Sequence, residues 1–174
     1  MARSPAPHPL VARLQGWGLL RAAPPVEGFA GSGWPIAGEA PAIALLKLAA
    51  LGALEGGLSA SQGVRADELI GPLCQAMGGA ARELRVTDVR EAGGLSLEVS
   101  WRGREARWSI PSLDALPVAL NALLGAVEGV RPAAVLGHWE EALHLWCVPR
   151  ALLDPLLDEA LEGAWNLEQL EDLV

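Results

Sequence analysis

The chain has 174 residues, of which 51% are hydrophobic, and a formal net charge of −8. A chain of this length and hydrophobicity is expected to fold around its own core rather than to remain disordered. The acidic balance argues against nucleic acid and anionic membranes as partners, because both require a surface rich in Lys and Arg. We therefore expect a folded domain that binds neither nucleic acid nor membrane.

The cysteines and the N-terminal segment indicate a reducing compartment. Cys74 and Cys147 are too few for a disulfide scaffold in a chain of this length, so we predict two buried thiols. The first 20 residues lack the uninterrupted apolar run of a signal peptide. The most apolar segment, residues 40–54, is shorter than the ~20 residues that span a bilayer. The predicted location is the cytoplasm.

The first 60 residues are predicted to form a helical N-terminal extension. Helical spacing of apolar residues predicts a short helix over 9–22, and the Gly and Pro content of 23–41 predicts a linker. Residues 41–56 indicate an Ala/Leu helix that begins at Pro41 and is apolar nearly all round, so it should be buried or paired. Gly31-Ser32-Gly33 has no preceding strand and no following Lys, which excludes a phosphate-binding loop.

A predicted helix over 65–79 is followed by three predicted strands, which begin with 83–90. Residues 95–101 and 104–110 alternate apolar and polar side chains, and Arg102-Gly103 between them fits a two-residue hairpin turn. The pairs that this turn creates are Trp101–Arg104, Val99–Ala106, Leu97–Trp108 and Leu95–Ile110. Because a shift of one residue would scramble the two faces, the pattern predicts the register as well as the strands. A cation–π contact between Trp101 and Arg104 is expected at the tip.

The rest of the chain adds a helix, two strands and a final helix. The helix over 113–128 carries an apolar stripe, whose members are Leu116, Leu120, Leu123, Leu124 and Val127. Strands over 133–138 and 142–148, a helix over 150–162 and an acidic tail over 165–174 follow. The predicted fold class is α+β: a helix-β-β-β-helix-β-β-helix domain with an antiparallel sheet over 61–174, preceded by the helical extension over 1–60.

No catalytic residue, metal site or cofactor is predicted. His138 and His144 flank the second hairpin, but an even loop pairs them with Leu143 and Gly137 and points the two imidazoles to opposite faces. The sequence therefore predicts one core histidine and one surface histidine. No serine lies in a Gly-x-Ser-x-Gly elbow. Two groups of acidic residues could resemble a catalytic or metal site, but they fit a solvated hairpin tip and one polar helix face instead. They are Glu140-Glu141, and Asp154, Asp158 and Glu162.

From residue 65 to 163, the order of elements resembles the type III secretion chaperone fold, which the YbjN-like bacterial proteins share. The resemblance rests on topology, element length and acidity rather than on a diagnostic motif, and the N-terminal extension is additional to it. It implies a non-enzymatic domain that dimerises through the helix after the third strand and binds an extended client segment on one sheet face. The implied dimer interface is Leu116, Leu120, Leu123, Leu124 and Val127, and the implied client-binding residues are Leu97, Val99, Trp101 and Trp108.

Two other classes of function stay open beside this homodimeric chaperone-like or adaptor protein. Residues 61–174 carry eighteen acidic and nine basic side chains, which fits an immunity or inhibitor protein that neutralises a basic enzyme. An enzyme of unrecognised type would need a pocket with convergent polar groups, which the sequence does not predict.

Overall fold

The computed structural model describes residues 9–21 and 41–153, which form a mixed α+β fold in the predicted class. The α-helices are α1 (Pro9–Gly16), α2 (Pro41–Ala50), α3 (Ala66–Met77) and α4 (Ala115–Leu124). The strands are β1 (Gly57–Ser61), β2 (Arg85–Arg90), β3 (Leu95–Trp101), β4 (Arg104–Ile110), β5 (Ala133–Trp139) and β6 (Ala142–Cys147). Short 3₁₀ helices cover Gly79–Glu83 and Arg150–Leu152.

Several predicted features lie outside the described residues. They are the linker motif Gly31-Ser32-Gly33, most of the final helix with Asp154, Asp158 and Glu162, and the acidic tail over 165–174.

The described strands form two antiparallel three-stranded sheets, ordered β1-β6-β5 and β2-β3-β4. We call them the first sheet and the second sheet. The sequence did not predict β1, because Gly-Leu-Ser-Ala-Ser has little intrinsic strand preference; pairing with β6 along its whole length makes it a strand. The predicted boundary between extension and domain, after residue 60, falls inside β1.

The β3–β4 hairpin confirms the predicted register, with all four predicted pairs in place. Both turn residues have positive φ, 48° at Arg102 and 76° at Gly103, which is the backbone of a type I′ turn. The cation over Trp101 is Arg102, at 5.2 Å from the ring centroid, rather than Arg104. The prediction failed there because a turn residue with positive φ can fold its side chain back over the preceding ring.

The first two helices are shorter than predicted, because a glycine ends each of them. After α2, Gly52 adopts φ of 69° and Ala53 N–H donates to the Leu48 carbonyl at 3.0 Å, which is a Schellman motif. Gly18, with φ of 72°, ends α1 by the same arrangement. The predicted helix over 41–56 therefore turns six residues early and leaves room for β1.

Two apolar clusters lie on opposite faces of the first sheet. The main core contains α3, α4, the inner face of the second sheet, and Leu143, Leu145 and Cys147 of β6. The second core contains α1, α2, and Trp146 and Val148 from the β6 side of the sheet. Trp146 is fully buried, and its Nε1 donates to the Glu55 carbonyl at 2.9 Å. The N-terminal helices are thus part of the same packed fold as the sheets.

Candidate functional site

The leucine stripe of α4, predicted as the dimer interface, lies inside the single chain. Leu116, Leu120 and Leu124 have no exposed surface, and Leu123 and Val127 are half-buried against the same core. The physical reason is that the amide side chain of Asn121 anchors α4 onto β5: it donates to the Ala133 carbonyl at 2.8 Å and accepts from the Ala133 N–H at 2.9 Å. Leu116, Leu120 and Leu124 are therefore unavailable to a second copy in this conformation.

The residues predicted to bind a client are also mostly in the core. Leu97, Val99 and Trp101 are 0%, 1% and 6% exposed, and Trp101 Nε1 donates to the Ala80 carbonyl at 2.8 Å. Trp108 differs from them: it is half-buried on β4, which is an edge strand of the second sheet. A client could reach the first three only if the core opened, whereas the edge of Trp108 is accessible.

The opposite side of α4 presents a face that sequence reasoning missed. Val118 is 57% exposed, and Ala122, one helical turn later, is also exposed; together with Ala126, which is exposed just beyond the end of the helix, we call these residues the α4 outer face. The helix sequence Ala-Leu-Pro-Val-Ala-Leu-Asn-Ala-Leu-Leu contains no charged residue. A helix that is apolar all round is normally covered on every side. The absence of charged residues is the sequence signal that could have predicted this exposed face. The prediction considered only the larger leucines on the other side of the helix.

The two ends of α4 carry opposite charges. Asp114 directly precedes the helix and makes no side-chain capping hydrogen bond. At the other end, the Arg150 guanidinium donates to the Gly125 carbonyl. An acid at the N-terminus and a base at the C-terminus both suit the helix dipole.

The two histidines behave as predicted. His138 pairs with Leu143 and is exposed, whereas His144 pairs with Gly137 and is 3% exposed. The His144 ring lies between the Ser59 hydroxyl, 2.7 Å from Nδ1, and the Trp139 carbonyl, 3.2 Å from Nε2. Because a carbonyl only accepts, Nε2 carries the proton and Nδ1 accepts from the serine. This pairing satisfies a buried histidine, and no group of three potential metal ligands occurs in the part of the chain that is described.

Ion pairs neutralise the exposed face of the second sheet. Arg90 contacts Asp88 at 2.6 Å and Glu98 at 3.6 Å, and Arg107 also contacts Glu98. The hydrogen bond from Arg90 lowers the pKa of the Asp88 carboxyl. Residues 61–153 contain eleven acidic and nine basic side chains, whereas 154–174 contain seven acidic and no basic ones. Most of the acidic surplus thus belongs to residues outside the described part.

The two cysteines are buried, free thiols, as predicted. Burial raises the pKa of Cys74 to about 11 and that of Cys147 to about 12. Thiols of this kind are protonated at neutral pH and react slowly, because the thiolate is the nucleophile. Neither cysteine therefore suits a nucleophilic role.

Over the described residues, no helix has both the length and the apolar character needed to cross a bilayer. No protein-family model matches the chain, and neither curated proteins nor solved structures give a match.

Proposed function

We propose that the chain is a non-enzymatic, cytoplasmic protein-binding domain of the chaperone-like or adaptor class, and that it acts as a homodimer joined through the α4 outer face. The observation that carries this proposal is the charge-free helix whose outward side, Val118, Ala122 and Ala126, is exposed in the single chain. Covering it would remove apolar surface from water at ~25 cal/mol per Å².

A second copy suits this face because the face is self-complementary. In an antiparallel two-fold pair, the Asp114 end of one helix lies beside the Gly125 end of the other, where Arg150 is bound. The pair then brings Val118 of one copy towards Ala122 of the other, and the small alanine side chain permits close approach of the helices.

The resemblance to the secretion chaperones implies a dimer through the leucines of α4, whereas the dimer proposed here uses the opposite side of that helix. Its leucines stabilise the fold of each copy, and the alanine side joins two copies. For the client, the accessible part of the predicted surface is the outer edge of β4, with the half-buried Trp108. An edge strand can accept an extended segment through backbone hydrogen bonds, and a tryptophan there supplies apolar contact.

Sedimentation velocity on the full chain and on three variants tests the homodimer. The double variant Val118→Glu, Ala122→Glu should be a folded monomer, because both positions are exposed and two carboxylates would face each other across the pair. Ala92→Glu, at an exposed position in the β2–β3 turn, is the matched control and should remain a dimer. Leu120→Asp should unfold the chain instead, because it places a carboxylate at a position with no exposed surface.

A wild-type monomer at 100 µM would contradict the proposal. The alternative of an acidic inhibitor would then lead, and it depends on residues 154–174, where seven acids occur without a base. Such an inhibitor should associate with a basic partner protein in a strongly salt-dependent way.

A further inference from the structure

A cleft of about 250 Å³ lies between α3 and the segment that leads from the first 3₁₀ helix into β2. Its apolar lining includes Ile70, Cys74 and Leu84, all of them buried. Gly71 forms part of one wall, and a Cβ added there would meet no atom within 4 Å. The cleft therefore has an apolar floor and an unobstructed mouth.

Two guanidinium groups line the same cleft. Arg85 Nη1 donates to the carbonyls of Arg82 and Leu84, at 2.8 and 2.9 Å, which holds that side chain in place. The Arg82 guanidinium is exposed, and it makes no hydrogen bond or ion pair with the residues that the structure describes. Asp67 also lines the cleft, but Arg65 neutralises it through a hydrogen bond of 2.9 Å. The site is thus locally positive in a chain whose net charge is −8.

We propose that this cleft binds a small carboxylate with a short apolar tail, held by Arg82 and Arg85 at the rim and by Ile70, Cys74 and Leu84 below. A guanidinium matches the planar carboxylate through two parallel N–H donors. At ~30 Å³ per water-sized group, the cleft holds roughly eight non-hydrogen atoms, which is the size of hexanoate. The Cys74 thiol is protonated at neutral pH, so the floor adds no negative charge.

Two sources supply this chemistry: a free short-chain carboxylate, or the C-terminal carboxylate of a protein that ends in an apolar residue. The residues involved are separate from the α4 outer face, so the inference does not depend on the proposed homodimer.

Cys74 provides a reporter for the test, since it lines the cleft while Cys147 has no exposed surface. The full chain would be treated with methyl methanethiosulfonate at pH 9, and modification at each cysteine would be followed by mass spectrometry. Hexanoate should slow modification of Cys74 at least fivefold. Hexylamine and hexanol, which have the same tail and a positive or neutral head, should slow it less than twofold.

The arginine variants test the charged half of the site. Arg82→Gln should abolish the protection by hexanoate and weaken binding about tenfold, as expected when a hydrogen bond to a charged group is lost. Arg104→Gln, at the exposed start of β4, makes the same charge change elsewhere and should leave protection intact. Equal protection by all three ligands, or none, would overturn the proposal.

Backbone amide shifts give an answer even if Cys74 reacts too slowly to follow. Saturable ¹⁵N–¹H shifts at Gly71 and Gln75 on addition of hexanoate would support the site, and unchanged spectra would overturn it. N-acetyl-leucine distinguishes the two sources. Binding tighter than that of hexanoate indicates a protein C-terminus, and equal or weaker binding indicates a free carboxylate.

Discussion

The two sheets have the same size and the same antiparallel pairing, but they are covered differently. In the first sheet, consecutive residues of β6 from Leu143 to Cys147 are all buried, because α2 packs on one face and α4 on the other. In the second sheet, burial alternates along β3: Leu97 and Val99 are buried, whereas Glu98 between them takes part in ion pairs on the outer face.

This difference determines what each sheet contributes. A sheet covered on both faces is a structural centre, because the side chains of its central strand contact other elements on both sides and a substitution on either face is costly. A sheet with one polar face leaves that face and the adjoining edge strand accessible to a partner protein. The proposed client edge, β4, accordingly belongs to the second sheet, while the first sheet joins the N-terminal helices to the rest of the chain.

The largest predicted effect compares a tryptophan from each sheet. Trp146→Ala in the first sheet should lower the free energy of unfolding by about 3–5 kcal/mol, because it leaves a cavity and removes the hydrogen bond to Glu55. Trp108→Ala in the second sheet removes a half-buried ring and should cost less than about 2 kcal/mol. Guanidinium unfolding monitored by circular dichroism measures both. Equal losses would show that the two sheets are not covered differently.

The contrast between the sheets also explains which parts of the fold the sequence could predict. The alternation in β3 and β4 encodes the face and hence the register, so all four predicted pairs of that hairpin are present. In β1, Ser59 and Ser61 suggest a loop, and only the pairing with β6 makes the segment a strand. That pairing joins residues more than eighty positions apart, which local patterns do not contain.

The candidate site was harder to predict for a related reason. Helical periodicity correctly identified Leu116, Leu120 and Leu124 as one apolar stripe. It could not state whether that stripe packs on the chain's own sheet or on a second copy, since both environments remove leucine from water in the same way. Val118 and Ala122 were overlooked because they are smaller residues, and their exposure depends on how α4 is seated on β5.

Alkaline pH should destabilise the protein through its two core thiols, one of which belongs to the first sheet. Unfolded, each thiol ionises near its ordinary pKa of 9.0; folded, burial raises the pKa of Cys74 to about 11 and of Cys147 to about 12. The folded state therefore binds more protons above pH 9, so stability is full below pH 9 and falls as pH rises towards 11 and 12. The limiting slope is about 1.4 kcal/mol per pH unit for each thiol.

Urea unfolding between pH 8 and 11 measures this loss, which is favourable to test because the chain has no tyrosine and a single lysine. Cys74→Ala and Cys147→Ala should each remove about half of the decline, because up to about pH 11 each buried thiol keeps its proton in the folded state and loses it in the unfolded state. An identical pH dependence in the wild type and in both cysteine variants would show that the thiols are not responsible.

A smaller effect is expected when a glycine with positive φ is replaced in the β3–β4 turn. Gly103→Val should destabilise the protein by about 2 kcal/mol or more, because φ of 76° costs an ordinary residue with a Cβ about 1–2 kcal/mol and a β-branched residue more. Thermal unfolding measures the change. Gly63→Val is the control, because Gly63 also has positive φ but lies in the turn after β1, which is not a hairpin turn. An equal loss of thermal stability in this variant would show that the effect belongs to any glycine with positive φ.

Introducing a glycine into the β5–β6 turn, rather than removing one, should stabilise the protein slightly. Glu140 and Glu141 have φ of 48° and 61°, so two glutamates occupy the type I′ positions that Asn and Gly favour. Glu141→Gly should relieve the strain of the left-handed backbone, and the greater freedom of glycine in the unfolded chain offsets part of this gain. A net increase of about 0.5–1 kcal/mol in the free energy of unfolding is expected. Glu141→Ala, which removes the same charge but retains a Cβ, should give no such increase. If both variants gained equally, relief of charge repulsion between the two glutamates, rather than backbone strain, would account for the effect.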